Sequence, residues 1–241
     1  MTYCVAMRLQ EGIVFVSDSR TNAGVDHIAV FRKLHLFGVE GDRVLVLQSA
    51  GNLATSQAII TLLRQRIQQE ETPNLHTVKT MYDAADLVGH TLREVMDKYK
   101  EQNMDFSCSL LLGGQILGEE PKLYNIYPQG NFIAATQDTP YFQIGESKYG
   151  KPILDRALNY FSPIEKALRC ALISFDSTIR SNLSVATPLD LMVYNNHSFK
   201  LPQGKRLYDD DPYFQAIRSQ WSEGLQKVLA QLPPPPAEYW L

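Results

Sequence analysis

The sequence predicts an α+β fold of stacked layers, with β-sheets inside and helices outside. Two observations lead to this prediction. Strand-like segments come in blocks with short connections, and helix-like segments come in consecutive pairs between those blocks. A pair of helices carries the chain out and back to the same end of a sheet. We therefore expect mostly antiparallel sheets, rather than the parallel sheets that single crossover helices produce.

The first block contains four predicted strands. The segments TYCVAMRL and GIVFVSDSR are rich in β-branched and aromatic residues, and only Gln10 and Glu11 separate them. This spacing is typical of a tight hairpin. The segments KLHLFG and DRVLVLQSAG repeat the pattern around a turn that contains Gly41.

The central part of the chain contains two helices and then a second block of strands. Apolar residues recur at helical spacing over residues 52–69 and again over residues 76–100. Four strand-like segments follow, FSCSLLLGG, KLYNIYP, NFIAAT and YFQIG. The second block therefore resembles the first in size and in its short turns.

The C-terminal part returns to helical spacing. One helix is predicted over residues 147–161. The next starts at Ser162, with Ser162 as N-cap, Pro163 at the first helical position and Glu165 completing a capping box. The strand LDLMVYNN and a last helix over residues 211–232 follow, and the run PPPP ends that helix.

This organisation predicts one domain over residues 1–232 and a Pro-rich tail over residues 233–241. The four prolines make the tail stiff, and Tyr239 and Trp240 near its end are poorly suited to water. One hypothesis is that the tail docks on a neighbouring subunit. The alternatives are docking on its own subunit and disorder.

Composition excludes several classes of function. The net charge is -3 and no long basic run occurs, which argues against a nucleic-acid partner. No apolar stretch approaches the length of a membrane span, and no secretory signal precedes the first strand. The three cysteines are interpreted as reduced core residues, and the histidines lack ligand spacing. We expect a cytoplasmic protein without a metal or other cofactor.

Four residues near the N-terminus suggest nucleophilic catalysis. If Met1 is trimmed, Thr2 carries both a hydroxyl and an α-amine that can act as its base. Asp18 ends the second strand and Lys33 precedes the third, so a charged Lys33 held by Asp18 could lower the proton affinity of the hydroxyl. Gly51 lies between a strand and a helix N-terminus, where its backbone N–H could stabilise an oxyanion.

The arrangement of these segments resembles the β-subunits of the proteasome, which are N-terminal-nucleophile (Ntn) hydrolases. The resemblance rests on Thr2, SDSR with Asp18, Lys33 before LHLFG, and SAG with Gly51, and the element order extends it over residues 2–232. Within the family the sequence looks most like the bacterial Anbu (ancestral β-subunit) peptidases, which are related to HslV.

The resemblance implies a four-layer αββα sandwich of two mostly antiparallel sheets flanked by helices. It also implies a threonine endopeptidase that assembles into homo-oligomeric rings or helical arrays and cleaves peptides or unfolded proteins. It leaves open whether an ATPase partner takes part. An acylase-like Ntn amidohydrolase of small amides and a non-catalytic assembly scaffold are the alternatives.

The same resemblance assigns further site residues. Thr2 is the nucleophile, Lys33 tunes it, Asp18 positions Lys33 and Gly51 forms the oxyanion site. Ser49 and Leu53 are expected to line the substrate pocket. The supporting serine of the family corresponds to Glu146 or Ser147, with Ser147 preferred. A later supporting position has three candidates, Asp176, Ser181 and Ser184.

Overall fold

The computed structural model describes residues 2–22, 28–98 and 105–240. Within these ranges the chain forms twelve β-strands, five α-helices and one 3-10 helix. The strands are β1 (Tyr3–Arg8), β2 (Gly12–Asp18), β3 (Arg20–Asn22), β4 (Ile28–Val30), β5 (Leu34–Val39), β6 (Arg43–Gly51), β7 (Cys108–Ile116), β8 (Lys122–Ile126), β9 (Phe132–Ala134), β10 (Tyr141–Gly145), β11 (Leu189–Asn195) and β12 (Lys205–Leu207). The helices are α1 (Leu53–Gln68), α2 (Met81–Asp97), α3 (Lys151–Ala157), α4 (Ile164–Ser181) and α5 (Pro212–Gln231), followed by the 3-10 helix Ala237–Tyr239.

Two five-stranded sheets form the centre of the molecule. The first has the strand order β10-β1-β2-β11-β12, the second has the order β5-β6-β7-β8-β9, and β3 pairs with β4 in a separate small hairpin. Every pairing of neighbouring strands is antiparallel. The predicted antiparallel character is confirmed.

The core is divided into three layers, as four stacked layers of secondary structure require. Tyr3, Val5 and Met7 of β1 pack toward α4, whereas the alternating Cys4 and Ala6 pack between the two sheets. Successive side chains on a strand point to opposite faces, so one strand serves two layers of the core. A third layer lies between the second sheet and the pair α1 and α2. The predicted αββα sandwich is confirmed.

The structure can be compared with two further sequence predictions, on the cysteines and on membrane-spanning segments. Cys4, Cys108 and Cys170 are all buried and free, as expected for small core residues. In the described ranges, no helix has the length and apolar content that crossing a bilayer requires.

Helix α2 starts later than predicted. It begins at Met81, with Thr80 as N-cap in a capping box in which the Thr80 hydroxyl accepts from the Asp83 N–H and the Asp83 carboxylate accepts from the Thr80 N–H. Leu75 and Val78 are buried in the core although they precede the helix. The predicted end at residue 100 lies outside the described residues.

The helices predicted over 147–161 and from Ser162 are corrected. Only Lys151–Ala157 is α-helical in the first segment. In the second, Pro163 occupies the N-cap position and no side chain caps the helix. The Ser162 hydroxyl instead bonds with Asn159, accepting from its N–H at 3.1 Å. The capping box was therefore wrong, although Glu165 does lie in the first turn, where a negative charge complements the helix dipole.

Candidate active site

The backbone around Thr2 is held by the strands on both sides of β1. The Thr2 carbonyl accepts a hydrogen bond of 2.7 Å from the Glu146 N–H at the end of β10. The adjacent Gly145 has φ +81°, and a Cβ placed there would lie 2.0 Å from the Thr2 carbonyl oxygen. Only glycine permits this close approach. These contacts fix the position of the start of β1. Thr2, the residue before β1, is half-buried.

Asp18 and Lys33 form a buried ion pair beside this strand. The Lys33 ammonium nitrogen lies 2.8 Å from Asp18 Oδ1, and the exposed fractions of the two residues are 4% and 0%. The same Oδ1 accepts from the Tyr3 N–H at 3.0 Å, which ties the pair to the residue after Thr2. Lys33 also donates to the Arg20 carbonyl at 2.6 Å. The lysine is therefore held by two acceptors at the base of the site.

The ionisation of Asp18 is set mainly by its burial. Burial raises the pKa of Asp18 to about 6, against the opposing effects of the Lys33 charge and the hydrogen bonds from Lys33 and Tyr3. Asp18 Oδ2 adds to the free-energy cost of burying the charged carboxylate, because it is buried without a hydrogen-bond partner in the described ranges. At neutral pH the carboxylate is ionised and pairs with the Lys33 ammonium.

Gly51 occupies a position that other residues cannot take without strain. Its φ is +120°, and a Cβ would lie 2.4 Å from the Ser107 carbonyl oxygen and 2.9 Å from Cys108 Cα. Asn52 follows as the N-cap of α1, its side chain accepting from the Thr55 N–H. Gly51 therefore joins the end of β6 to the N-terminus of a helix at close backbone contact.

Gly51→Ala is expected to lower the free energy of unfolding by about 2–4 kcal/mol, because the new Cβ adds a clash to the strained φ. Gly41→Ala is the matched control. Gly41 also has a positive φ, +81°, but no atom lies within 4 Å of the added Cβ, so we expect only about 1–2 kcal/mol there. Urea titration followed by circular dichroism measures both variants. Equal destabilisation of the two would show that the Ser107 contact costs nothing.

A single cavity brings most of the predicted site residues together. It has a volume of about 450 Å³ and includes Thr2, Lys33, Ser49, Gly51 and Leu53 in its lining. Asp18 lies behind Lys33 and is fully buried, as its ion pair requires. The six residues predicted from the sequence thus cluster at one place in the fold, at the starts of β1, β5 and α1 and the ends of β2 and β6.

Comparison with known proteins identifies the family. The sequence profile described as "Proteasome subunit" matches residues 2–187. Anbu (ancestral β-subunit) from Yersinia bercovieri is 60% identical, with a TM-score of 0.93 and coverage of 98% of this chain and 99% of that chain. The chain belongs to the Anbu group of the proteasome subunit family.

Two further Anbu structures are similar over almost their whole length. A helical assembly of the Anbu complex from Pseudomonas aeruginosa is 61% identical, with a TM-score of 0.95 and coverage of 98% of this chain and 99% of that chain. Anbu from Hyphomicrobium sp. strain MC1 is 46% identical, with a TM-score of 0.92 and coverage of 98% and 100%. No curated protein sequence matched.

The candidates for the supporting positions of proteasome subunits have different neighbours in the structure. The Glu146 backbone bonds with Thr2, and its carboxylate accepts from the Asn182 side chain at 3.0 Å. Asn182 in turn accepts from the Ser184 N–H. Glu146 therefore connects the Thr2 backbone to the C-terminal end of α4. Asn182 was not singled out from the sequence.

The remaining candidates for the supporting positions have different neighbours from those of Glu146. Asp176 is paired with Arg180 and Arg218, at 3.2 and 2.8 Å, which holds it between α4 and α5. Ser147 lines a separate cavity together with Asp155 and neighbouring residues. Ser181 is exposed at the last position of α4.

Sequence reasoning missed part of the cavity lining in this Anbu-type chain. Arg32 and His35 contribute from either side of Lys33, and five residues of α1 contribute beyond Leu53. The α1 residues that line the cavity are Leu53, Ser56, Gln57, Ile60, Thr61 and Arg64. Their spacing of three and four residues defines one face of a helix, so the signal was present in the sequence. Knowing that this face turns toward Thr2 required the tertiary structure.

The arrangement can support nucleophilic chemistry without a metal. In the described residues, no group of three or more histidine, cysteine, aspartate or glutamate side chains could hold a metal ion. A hydroxyl, a buried ammonium and a helix N-terminus share one cavity, and these are groups that could activate a nucleophile and stabilise an oxyanion.

Proposed function

We propose that the chain is a threonine-type peptidase that uses Thr2 as its nucleophile. The observation that supports this most strongly is the position of Thr2 in the same cavity as Lys33, whose ammonium is held by the buried Asp18. Membership of the proteasome subunit family agrees with it. The proposed roles are Thr2 as nucleophile, Lys33 as the cation that tunes it, Asp18 as the positioning residue and Gly51 as an oxyanion donor.

The proposed reaction proceeds through an ester intermediate. The α-amine of Thr2 accepts the hydroxyl proton, directly or through water, as the oxygen attacks the scissile carbonyl. The Gly51 N–H and the positive end of the α1 dipole stabilise the oxyanion that forms. The α-ammonium of Thr2 then gives its proton to the nitrogen of the cleaved bond, and that part of the substrate leaves as an amine. In the second step the α-amine accepts a proton from water, which attacks the threonine ester, and the Thr2 hydroxyl regains its proton as the acid product leaves.

This mechanism requires removal of Met1. While Met1 is attached, the nitrogen of Thr2 is part of an amide and cannot act as a base. Met1 itself lies outside the described residues. Processing before Thr2 is therefore part of the proposal, and the mass of the purified chain reports it directly.

The active form is proposed to be a cytoplasmic homo-oligomer that acts on peptides or unfolded proteins in a partly enclosed space. The Pseudomonas aeruginosa relative, 61% identical, forms a helical assembly. The tail over residues 233–241 is a candidate contact in such an assembly. Light scattering coupled to size-exclusion chromatography tests both points. A monomer at micromolar concentration contradicts assembly, and an unchanged particle mass after deletion of residues 233–241 contradicts the role of the tail.

Substrate comparison separates the peptidase from an acylase-like amidohydrolase. We expect hydrolysis of fluorogenic peptides of three or four residues to exceed that of single-residue amides in kcat/KM, because an extended peptide gains additional binding energy. Thr2→Ala protein is the control in both assays. Turnover of small amides alone would favour the amidohydrolase. Absence of turnover with both substrate classes in processed protein would favour the scaffold.

The proposed mechanism has a specific dependence on pH. Two groups must lose their protons, the α-amine of Thr2, whose reference pKa is about 7.7–8.0, and Asp18, whose pKa burial raises to about 6. We expect the logarithm of kcat/KM to rise with slope two below pH about 6 and with slope one from there to the amine pKa.

The Asp18→Asn variant is the matched control for the pH profile. It should be less active, with a slope of one throughout, because only the amine still titrates. Circular dichroism at each pH checks that the protein stays folded. A wild-type slope that remains one well below the pKa of Asp18 would show that Asp18 ionisation does not matter for activity.

A further inference from the structure

The charged side chains that line the cavity beside Thr2 are positive. Its lining includes the cations Arg32, Lys33 and Arg64, and none of the described residues that line it is an aspartate or glutamate. The chain as a whole carries a net charge of -3. The chain is not basic overall, so the positive lining is a local property of this cavity.

Among the described residues, one of the three cations has an acidic partner. Lys33 is paired with Asp18. Neither Arg32 nor Arg64 takes part in any of the ion pairs in the described part of the chain. Two guanidinium groups, each with several N–H donors, are thus available to a ligand.

His35 lines the same cavity as these two arginines. Burial lowers the pKa of His35 to about 4, and the Arg64 and Arg32 charges act in the same direction. The nearby carboxylate of Asp190 opposes this effect, but it is held by two hydrogen bonds of 2.7 Å from Arg206. At neutral pH His35 is therefore uncharged and lies beside two unpaired cations.

The part of the lining that α1 contributes extends along the helix away from Gly51. The lining face of α1 runs from Leu53 beside Gly51 to Arg64, eleven residues later, with Gln57 and Thr61 between. At 1.5 Å per residue this is roughly 16 Å along the helix axis. The Arg64 guanidinium carbon lies 5.9 Å from the ring centroid of Phe37 in β5, so its charge is placed over the sheet. Arg64 lines both the cavity beside Thr2 and a neighbouring cavity that includes Phe37.

We propose that this cavity selects a carboxylate side chain on the substrate residue whose carbonyl Thr2 attacks. Glutamate should be preferred over aspartate, because its longer side chain reaches further along the lining face of α1 toward Arg64. The inference rests on the proposed function and adds the substrate class, peptides cleaved after an acidic residue. Arg64 and Arg32 are the specificity-determining residues, and a carboxylate would supply a counter-charge that the described residues do not give them.

Matched covalent probes test this preference. Four peptide epoxyketones that differ only in the residue next to the reactive group carry glutamate, glutamine, leucine or lysine there. Labelling rates of the processed oligomer are measured by intact mass. We expect the glutamate probe to react about tenfold faster than the isosteric glutamine probe, the size expected for one charge-assisted contact, and the lysine probe to react slowest.

Charge variants assign the preference to the named arginines. Arg64→Gln and Arg32→Gln should each reduce the ratio of the glutamate to the glutamine rate, and Arg64→Glu should favour the lysine probe. Arg169→Gln is the control, because Arg169 is an exposed arginine on α4, on the opposite outer layer from α1. It makes the same change in net charge and should leave the ratio unchanged. Retained labelling by the leucine probe shows that each variant is folded.

The outcomes separate this inference from the proposed function. Labelling of Thr2 by the leucine probe with equal glutamate and glutamine rates would overturn the acidic preference and leave the peptidase proposal standing. A preference for glutamate that survives in both arginine variants would overturn the assignment to these residues. Absence of labelling by all four probes in processed protein would overturn both proposals.

Discussion

Thr2→Ala should reduce peptide hydrolysis by at least about a thousandfold, because it removes the only atom proposed to form the ester intermediate. The backbone hydrogen bond between the Thr2 carbonyl and the Glu146 N–H does not involve the side chain, so the fold should not change. The measurement is kcat/KM with a fluorogenic peptide, together with the thermal unfolding midpoint. The midpoint should stay close to the wild-type value.

Thr2→Ser is the matched control for this loss. A serine keeps the hydroxyl and, after removal of Met1, the α-amine, so partial activity should remain. Equal, complete loss in the alanine and serine variants would point to a defect in processing, which intact mass detects. Full activity in processed Thr2→Ala protein would exclude Thr2 as the nucleophile.

Lys33→Met should have the second largest effect, and it should affect both activity and stability. The substitution keeps the length and burial of the side chain but leaves the Asp18 carboxylate without its cation at 2.8 Å. Removing one partner of a buried ion pair costs about 3–5 kcal/mol of unfolding free energy. We also expect about a hundredfold or greater loss of kcat/KM, because Lys33 no longer lowers the proton affinity of the Thr2 hydroxyl.

The pH dependence of this destabilisation has a definite sign. Without Lys33, the pKa of Asp18 in the folded state should rise above its already raised value of about 6. A carboxyl with a raised folded pKa stabilises the protein below its unfolded pKa and loses that contribution as pH rises through the folded pKa. Lys33→Met should therefore be closest to wild-type stability near pH 5 and furthest from it near pH 8.

The double variant Asp18→Asn with Lys33→Met separates stability from activity. It removes both charges, so most of the lost stability at pH 8 should return, while activity stays low. Chemical denaturation of the four proteins in this cycle measures the coupling between the two side chains. Additive losses would show that Asp18 and Lys33 do not interact energetically, against the observed ion pair.

The layered fold could be predicted because alternating and helical patterns are local. The alternation of β1 between Tyr3, Val5 and Met7 on one face and Cys4 and Ala6 on the other is visible in the sequence. The start of α2 was predicted about five residues too early, because the capping box of Thr80 and Asp83, which marks the true start, was not recognised. The short strands β3, β4 and β12 were also missed.

The site was predicted only where its residues lie at the ends of recognisable elements. Asp18 ends β2 and Lys33 precedes β5, so motif order was enough to bring them together as candidates. Arg64 is eleven residues into α1, and its contribution to the cavity depends on how that helix packs against β5. Asn182 contacts Glu146 across 36 positions of the chain. No local pattern specifies such contacts.

The intact mass of the purified oligomer, before and after reaction with a peptide epoxyketone, tests the central proposal most directly. The account predicts a mass that lacks Met1 and then gains one inhibitor adduct per chain, with no adduct on Thr2→Ala protein. Fragmentation should place the adduct on Thr2. A processed chain that stays unmodified while a known threonine peptidase reacts under the same conditions would contradict the account, as would an adduct on any other residue.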